Sequence, residues 1–175
     1  MLFLLAFEFF SVQNLFAQDG NIYEIDLNVN KDEVEMIIDA LPPISHLPGS
    51  PFFPLVSVKE DWEETFKPNQ LEKINWKIII SNKRLKESYM LFNNSNKEEA
   101  VKNIFAYIES LNEIKDSAER LKSRGDIALP RIALENNLTT QQRILTYFYN
   151  EGLEVSASNA IKANIELIGF IKEDL

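Results

Sequence analysis

The chain has 175 residues, of which 45% are hydrophobic, and this length and composition are typical of one globular domain. The formal net charge is −9 at pH 7, and the sequence contains no basic stripe of the kind that binds nucleic acid or an anionic membrane. Cysteine is absent, which excludes disulfides, cysteine nucleophiles and thiolate metal sites, and the 5 Gly and 7 Pro favour long helices over a turn-rich sheet.

Residues 1–17 (MLFLLAFEFFSVQNLFA) indicate a secretory signal peptide. The apolar run ends at the small residue Ala17, just before a polar stretch, which is the pattern of an export cleavage site. Two features differ from that pattern, since no Lys or Arg precedes the apolar run and Glu8 interrupts it. An uncleaved membrane anchor and a core helix are the alternatives, although about 17 residues is marginal for spanning a bilayer. We therefore expect an extracytoplasmic protein that is secreted, periplasmic or held at the cell surface.

Residues 18–46 are acidic and are interpreted as a linker that is partly extended. Residues 22–29 alternate between apolar and polar side chains, which favours a short strand or an extended segment. The run from Asp32 to Leu41 can form one or two helical turns, with Asp32 as the cap and the Pro pair that begins at Pro42 as the stop.

A stiff stretch over residues 48–54 (PGSPFFP) precedes the first main helix. Each of its three prolines fixes φ and keeps the preceding residue out of the helical region, while Pro54 can still begin a helix. Because burying one aromatic ring is worth roughly 1.5–3 kcal/mol, we expect Phe52 or Phe53 to pack on the helices that follow. We interpret the stretch as a structural clamp, with a proline-rich ligand for a partner as the alternative.

Three helices are predicted from residue 55 to residue 123. The first, Leu55–Phe66, has one apolar face that we expect to pack inward, made by Leu55, Val58, Trp62 and Phe66. The second covers about 69–93 and carries an apolar residue at every seventh position, namely Leu71, Ile78, Leu85 and Phe92. The third covers about 97–123, and the short polar turn before it makes the two long helices an antiparallel hairpin.

Further helices are predicted over residues 126–175, after a break at Arg124-Gly125-Asp126. One covers about 127–150, with an interruption near Asn136 as an alternative, and the last covers about 159–172. The predicted fold is therefore all-α, an antiparallel helical hairpin extended into a bundle of four or five helices, with an extended N-terminal segment. The helical domain spans residues 47–175.

Three short motifs within residues 47–122 form a set: a Ser-Pro-aromatic start, an acidic segment with a Trp, and Arg-Leu-x-Glu on a long helix. The residues that make up these motifs are Ser50, Pro51, Phe52, Leu55, Glu60, Trp62, Glu63, Arg84, Leu85 and Glu87. In these positions the chain resembles a bacterial family known as domain-of-unknown-function family 5667. The resemblance implies an all-helical, extracytoplasmic module and implies no activity. We expect Arg84 to pair with a carboxylate near Trp62, with Glu63 as the candidate, or with one on the following helix.

Motifs for catalysis or cofactor binding are missing from the sequence. The one histidine, His46, lies in a Pro-flanked loop, and no HExxH or glycine-rich phosphate-binding motif occurs. We therefore predict no catalytic residues, no metal and no cofactor, and we rank a small-molecule enzyme last. The prediction is a non-catalytic module that binds an unidentified protein partner or assembles an envelope structure, with oligomer formation possible.

The alternative function comes from Leu138–Gln142 (LTTQQ). This segment resembles the LTxxQ motif of small periplasmic helical chaperones and metal-stress sensors, which usually carry the motif twice. The resemblance implies a periplasmic-type chaperone or stress sensor that holds clients on an apolar surface.

Overall fold

Six helices make up most of the part of the chain that the computed structural model describes, which is residues 29–123, 131–153 and 155–174. The helices are α1 (Lys31–Ala40), α2 (Phe53–Thr65), α3 (Gln70–Asn93), α4 (Lys97–Ser123), α5 (Arg131–Asn150) and α6 (Val155–Asp174). No strand occurs in these ranges, so the predicted all-α helical bundle is confirmed. The predicted signal peptide, the extended N-terminal segment up to residue 28 and the predicted break at 124–126 lie outside the described residues.

Helices α3 and α4 form a hairpin, and the contact between them is more extensive than that between any other two of the six helices. Its antiparallel direction is visible from its side-chain contacts, because Lys77 contacts Glu113 whereas Ser88, farther along α3, accepts a hydrogen bond from Asn103, nearer the start of α4. Of the predicted seven-residue series, Leu85 and Ile78 are buried. The offset positions are buried as well, and they are Ile74, Ser81 and Ser88.

Asparagine side chains cap the starts of several helices. Asn30 accepts a hydrogen bond from the backbone N–H of Glu33 at 2.8 Å, and Asn69 accepts one from Glu72 at 2.9 Å. These bonds satisfy N–H groups that have no partner inside the helix. The cap of α1 is therefore Asn30, and the prediction of Asp32 as the cap is wrong. The chain leaves α5 through Gly152, which has φ +66°. This is a left-handed conformation that glycine adopts without strain.

Helix α1 corrects the interpretation of residues 18–46 as a linker. Val34 and Ile38 are buried in the same core as α3, α4, α5 and α6. The segment is also held by polar contacts, since Lys86 on α3 donates a hydrogen bond to the carbonyl of Leu41 at 3.2 Å and Arg143 pairs with Glu33. Residues 31–41 are therefore part of the folded bundle.

Helices α5 and α6 pack against each other and enclose the core together with the hairpin of α3 and α4. Helix α5 runs without interruption past Asn136, so the helix is continuous there and the alternative of a break is wrong. Helix α6 begins at Val155, four residues earlier than predicted. The largest fully buried side chains come from both pairs and include Tyr107, Leu111, Phe148, Ile161 and Ile165.

A polar junction lies inside this apolar core, centred on Gln141 of α5. Its side-chain N–H₂ donates to Ser81 Oγ at 3.0 Å and to Asn82 Oδ1 at 2.8 Å. Its side-chain carbonyl accepts from the hydroxyl of Tyr107 at 3.1 Å. Gln141 is fully buried, so these bonds fix the position of α5 against α3 and α4 where water cannot replace them.

Replacing Gln141 with Leu tests this junction. The change leaves the Tyr107 hydroxyl and Asn82 Oδ1 without a partner, while Ser81 keeps its bond to a backbone carbonyl, and each unpaired buried group costs about 1–3 kcal/mol. We expect the free energy of unfolding in urea to fall by about 3 kcal/mol. The neighbouring Gln142→Leu is the matched control, since Gln142 is only half-buried. Equal losses in the two variants would contradict the assignment.

Candidate functional site

Five large apolar side chains of α2 and of its two flanking residues face water, and we call them the α2 strip. They are Phe52, Leu55, Val58, Trp62 and Phe66, with exposed fractions of 57%, 68%, 54%, 68% and 78%. At about 100° per residue, the last four fall within roughly 80° of one another around the helix and form a continuous stripe. The prediction that this face packs inward is therefore wrong. A contiguous exposed apolar stripe of this kind is a candidate interaction surface.

The opposite face of α2 is attached to the bundle by a buried charge, not by apolar side chains. Glu60 is the one residue of α2 that is buried. Its carboxylate accepts hydrogen bonds from Lys83 Nζ at 3.1 Å and from Arg84 Nη2 at 2.7 Å, both on α3. The indole N–H of Trp76 donates to the backbone carbonyl of Glu60 at 3.2 Å. These bonds, and the Phe53 ring beneath the Arg84 guanidinium, hold α2 so that its apolar stripe points away from the core.

Arg84 links α2 to a second buried carboxylate. Its other terminal nitrogen donates to both oxygens of Glu87, at 3.1 and 2.9 Å. Burial raises the pKa of Glu87, and although Arg84 acts in the opposite direction, the pKa remains above its ordinary value. Asn103 on α4 completes the cluster by donating to the carbonyl of Arg84 at 2.6 Å and to Ser88 Oγ at 3.0 Å.

A polar cleft of about 250 Å³ lies beside this cluster, between α2, α3 and α4. Its charged lining is mainly acidic, and Lys77 bridges the cleft by pairing with Glu64 of α2 at 3.2 Å and with Glu113 of α4. Burial lowers the pKa of Lys77, but its hydrogen bonds to Glu113 and Glu64 outweigh this effect and leave the pKa raised. The charged groups of the cleft therefore act as ties between the three helices.

The residues predicted from the sequence motifs occupy three different environments. Phe52, Leu55 and Trp62 belong to the α2 strip, whereas Leu85 is in the core. Ser50 accepts a weak hydrogen bond, at 3.4 Å, from the backbone N–H of Phe52, and Pro51 is exposed beside it. The stretch thus turns the chain into α2, as expected of a clamp.

The prediction of Glu63 as the partner of Arg84 is wrong. The carboxylate does come from the segment around Trp62, but it belongs to Glu60. Glu63 instead forms an exposed pair with Lys59 at 3.6 Å. The signal that distinguishes them is helical spacing, since Glu60 lies opposite the apolar stripe and Glu63 lies at its flank. Lys83 and Trp76, which complete the contact with α2, had no sequence signal.

Neither a metal centre nor a membrane span is found in the described part of the chain. Across residues 29–123, 131–153 and 155–174, no three His, Asp or Glu side chains are grouped so that they could hold a metal ion. None of the helices α1 to α6 is both long enough and apolar enough to cross a membrane.

Comparisons of the chain with protein-family models, with curated proteins and with solved structures found no match. The resemblance to domain-of-unknown-function family 5667 therefore stays a prediction that is neither supported nor contradicted. A function is therefore inferred from the positions and contacts of the residues described above.

A double-mutant cycle tests the Arg84–Glu60 contact. We expect Arg84→Met to lower the free energy of unfolding by about 3–5 kcal/mol, because it leaves the buried carboxylate of Glu87 without its ion-pair partner and Glu60 with Lys83 alone. Combining it with Glu60→Gln should show a coupling energy of roughly 1–3 kcal/mol. The control cycle uses Glu63→Gln and should give a coupling within about 0.5 kcal/mol of zero. Coupling to Glu63 in place of Glu60 would overturn the geometry.

The raised pKa of Glu87 predicts a pH dependence of stability. At intermediate pH the folded protein holds a proton that the unfolded chain has released, so the stabilising effect is complete below the ordinary pKa of 4.5 and is lost as the pH rises through the raised value. Glu87→Gln removes this dependence. We therefore expect the wild type to gain stability relative to Glu87→Gln between about pH 7 and pH 4.5, measured by urea unfolding. The exposed Glu119→Gln is the control, and parallel profiles for wild type and Glu87→Gln would contradict the assignment.

Proposed function

We propose that this protein is a non-catalytic interaction module that works outside the cytoplasm and binds a protein partner through the α2 strip. The observation that carries the proposal is the exposure of five large apolar side chains on one element. Burial of each is worth roughly 1.5–3 kcal/mol, so a partner that covers the strip gains several such contributions.

The attachment of α2 supports this proposal. Glu60, with its bonds to Lys83 and Arg84, holds the helix in one orientation on α3. A binding surface that is already fixed loses little conformational freedom when its partner arrives. The buried charges therefore favour a rigid recognition helix over a segment that collapses into the core.

Trp62 lies near the middle of the strip and is 68% exposed. Tryptophan is among the residues that most often dominate the energy of an interface, because its large ring fills a pocket on the partner. The neighbouring Leu55 and Phe66 can exclude water around it. We infer that Trp62 is the main anchor.

The chaperone alternative receives little support from its motif. Leu138 and Gln141 are buried, and Gln141 is held in the core by three hydrogen bonds. The hydroxyls of Thr139 and Thr140 donate to backbone carbonyls one turn earlier in α5. Packing thus explains the LTTQQ segment without a client.

The extracytoplasmic location is supported by residues 1–17, whose apolar run and small residue at position 17 are typical of an export signal. This part of the proposal is independent of the α2 strip.

Site-specific cross-linking tests the interaction. A photoreactive phenylalanine analogue at Trp62, in the full chain produced in its native host, should form a discrete cross-linked adduct with a protein. Because Trp62 faces water, the change should not disturb the fold. The control places the same group at Glu119 on α4, whose side chain is 62% exposed and lies roughly 140–180° around the helix from Ala106 and Ser110, which line the cleft beside α2. Absence of an adduct from position 62, or equal adducts from both positions, would contradict the proposal.

A further inference from the structure

We propose that the partner of the α2 strip is a second copy of this chain, with the two α2 helices packed antiparallel about a two-fold axis that passes near residue 60. This inference rests on the proposed function and specifies its partner. In such an interface the same surface of both copies is used, so every contact occurs twice.

The order of apolar residues along α2 fits an antiparallel arrangement. When the two-fold axis lies near residue 60, Leu55 of one copy lies opposite Phe66 of the other, and Val58 lies opposite Trp62. Each of these contacts joins a smaller aliphatic side chain to a larger aromatic one. All four positions are more than half exposed and therefore accessible to a second copy. Alternation of small and large side chains is how facing helices interdigitate.

On one flank of the strip the charges are self-complementary in the same register, whereas the other flank carries Asp61, roughly 120° from Leu55 in the opposite direction. Lys59 and Glu63 lie on one flank, roughly 40° and 80° around the helix from Leu55. Two antiparallel helices bring like flanks together, so Lys59 of one copy meets Glu63 of the other, and the contact is repeated by symmetry. Within one chain the two side chains are 3.6 Å apart and both remain accessible, at 74% and 39% exposure.

The area of the strip agrees with a dimer of modest affinity. From the exposed fractions, its five side chains offer roughly 600 Å² per copy. Stable interfaces bury about 800 Å² per partner, and the flanking residues supply part of the difference. We therefore expect dimerisation that depends on protein concentration in the micromolar range.

An anionic lipid surface fits the strip less well. The exposed charges of α2 are Lys59, Asp61, Glu63 and the partly exposed Glu64, and the whole chain has a net charge of −9. Repulsion from anionic headgroups opposes the attraction of the apolar stripe. A second copy, in contrast, brings Lys59 to Glu63 across the interface, and an anionic lipid offers no such partner to Glu63.

Charge reversal on the full chain tests the proposal. Sedimentation equilibrium over about 1–200 µM should show the wild type dimerising. Lys59→Glu makes the flank wholly acidic and Glu63→Lys makes it wholly basic, so each variant alone should dimerise about tenfold more weakly. An equimolar mixture of the two variants should recover dimers, because acidic flanks then meet basic ones. Loss of an ion pair inside one helix does not predict this recovery.

A matched control is available on α4. Lys115 and Glu119 form the same kind of pair four residues apart, at 3.7 Å, roughly 140–180° around α4 from Ala106 and Ser110, which line the cleft beside α2. Lys115→Glu and Glu119→Lys should dimerise like the wild type. Trp62→Glu, which places a charge in the centre of the interface, should be monomeric at every concentration.

The outcomes separate this inference from the proposed function. A cross-linked adduct from position 62 with twice the mass of the chain supports both. A monomer whose position 62 cross-links to a different protein overturns the second copy and leaves the interaction module standing. A monomer that cross-links to residues 1–17 of its own chain overturns both. Dimers that respond equally to the α2 and α4 variants place the interface elsewhere and also overturn the inference.

Discussion

Arg84 sits between two buried carboxylates, and the position of α2 follows from that arrangement. One of its nitrogens donates to Glu60 on α2, and the other donates to Glu87 one turn farther along α3. A buried charge without a partner is strongly unfavourable, so the guanidinium keeps both carboxylates in place and they keep the guanidinium in place. The helix that carries Glu60 must turn this residue inward, and its apolar side chains then have to point outward.

Helix α2 is thus attached in a different way from the other helices. The remaining five share one continuous apolar core, in which Leu85, Leu111 and Phe148 are fully buried. The polar bonds of Gln141 fix the register of that core without interrupting it. Because the core is complete without the apolar residues of α2, they are free to serve as a surface, and this division of roles is the physical basis for interpreting the protein as an interaction module.

Sequence reasoning was reliable where helical periodicity and burial coincide. Residues 69–123 show long apolar series with clear caps and a polar turn, and α3 and α4 appear close to the predicted bounds. The same reasoning failed on α2, where the apolar series from Leu55 to Phe66 has the correct helical spacing but faces water. Periodicity identifies which side chains share a face of a helix. It does not indicate whether that face points into the core or toward water. It also missed α1 as a part of the core, because a short helix shows too few positions to distinguish a linker from a packed element.

The sequence by itself determined the helical class, the hairpin and the membership of each face, since these depend on local spacing and on capping residues. It also indicated a carboxylate near Trp62 as a partner for Arg84, with one on the following helix as the alternative. Only the tertiary structure decided which carboxylate completes that contact and which side of α2 is buried. Those choices depend on the fit of Glu60 with Trp76 and Lys83, which lie 16 and 23 positions farther along the chain and are brought to it by folding. A contact between such distant positions produces no periodic pattern in the sequence. The cost of burying the charge of Glu60 depends on all the groups that surround it in the folded protein.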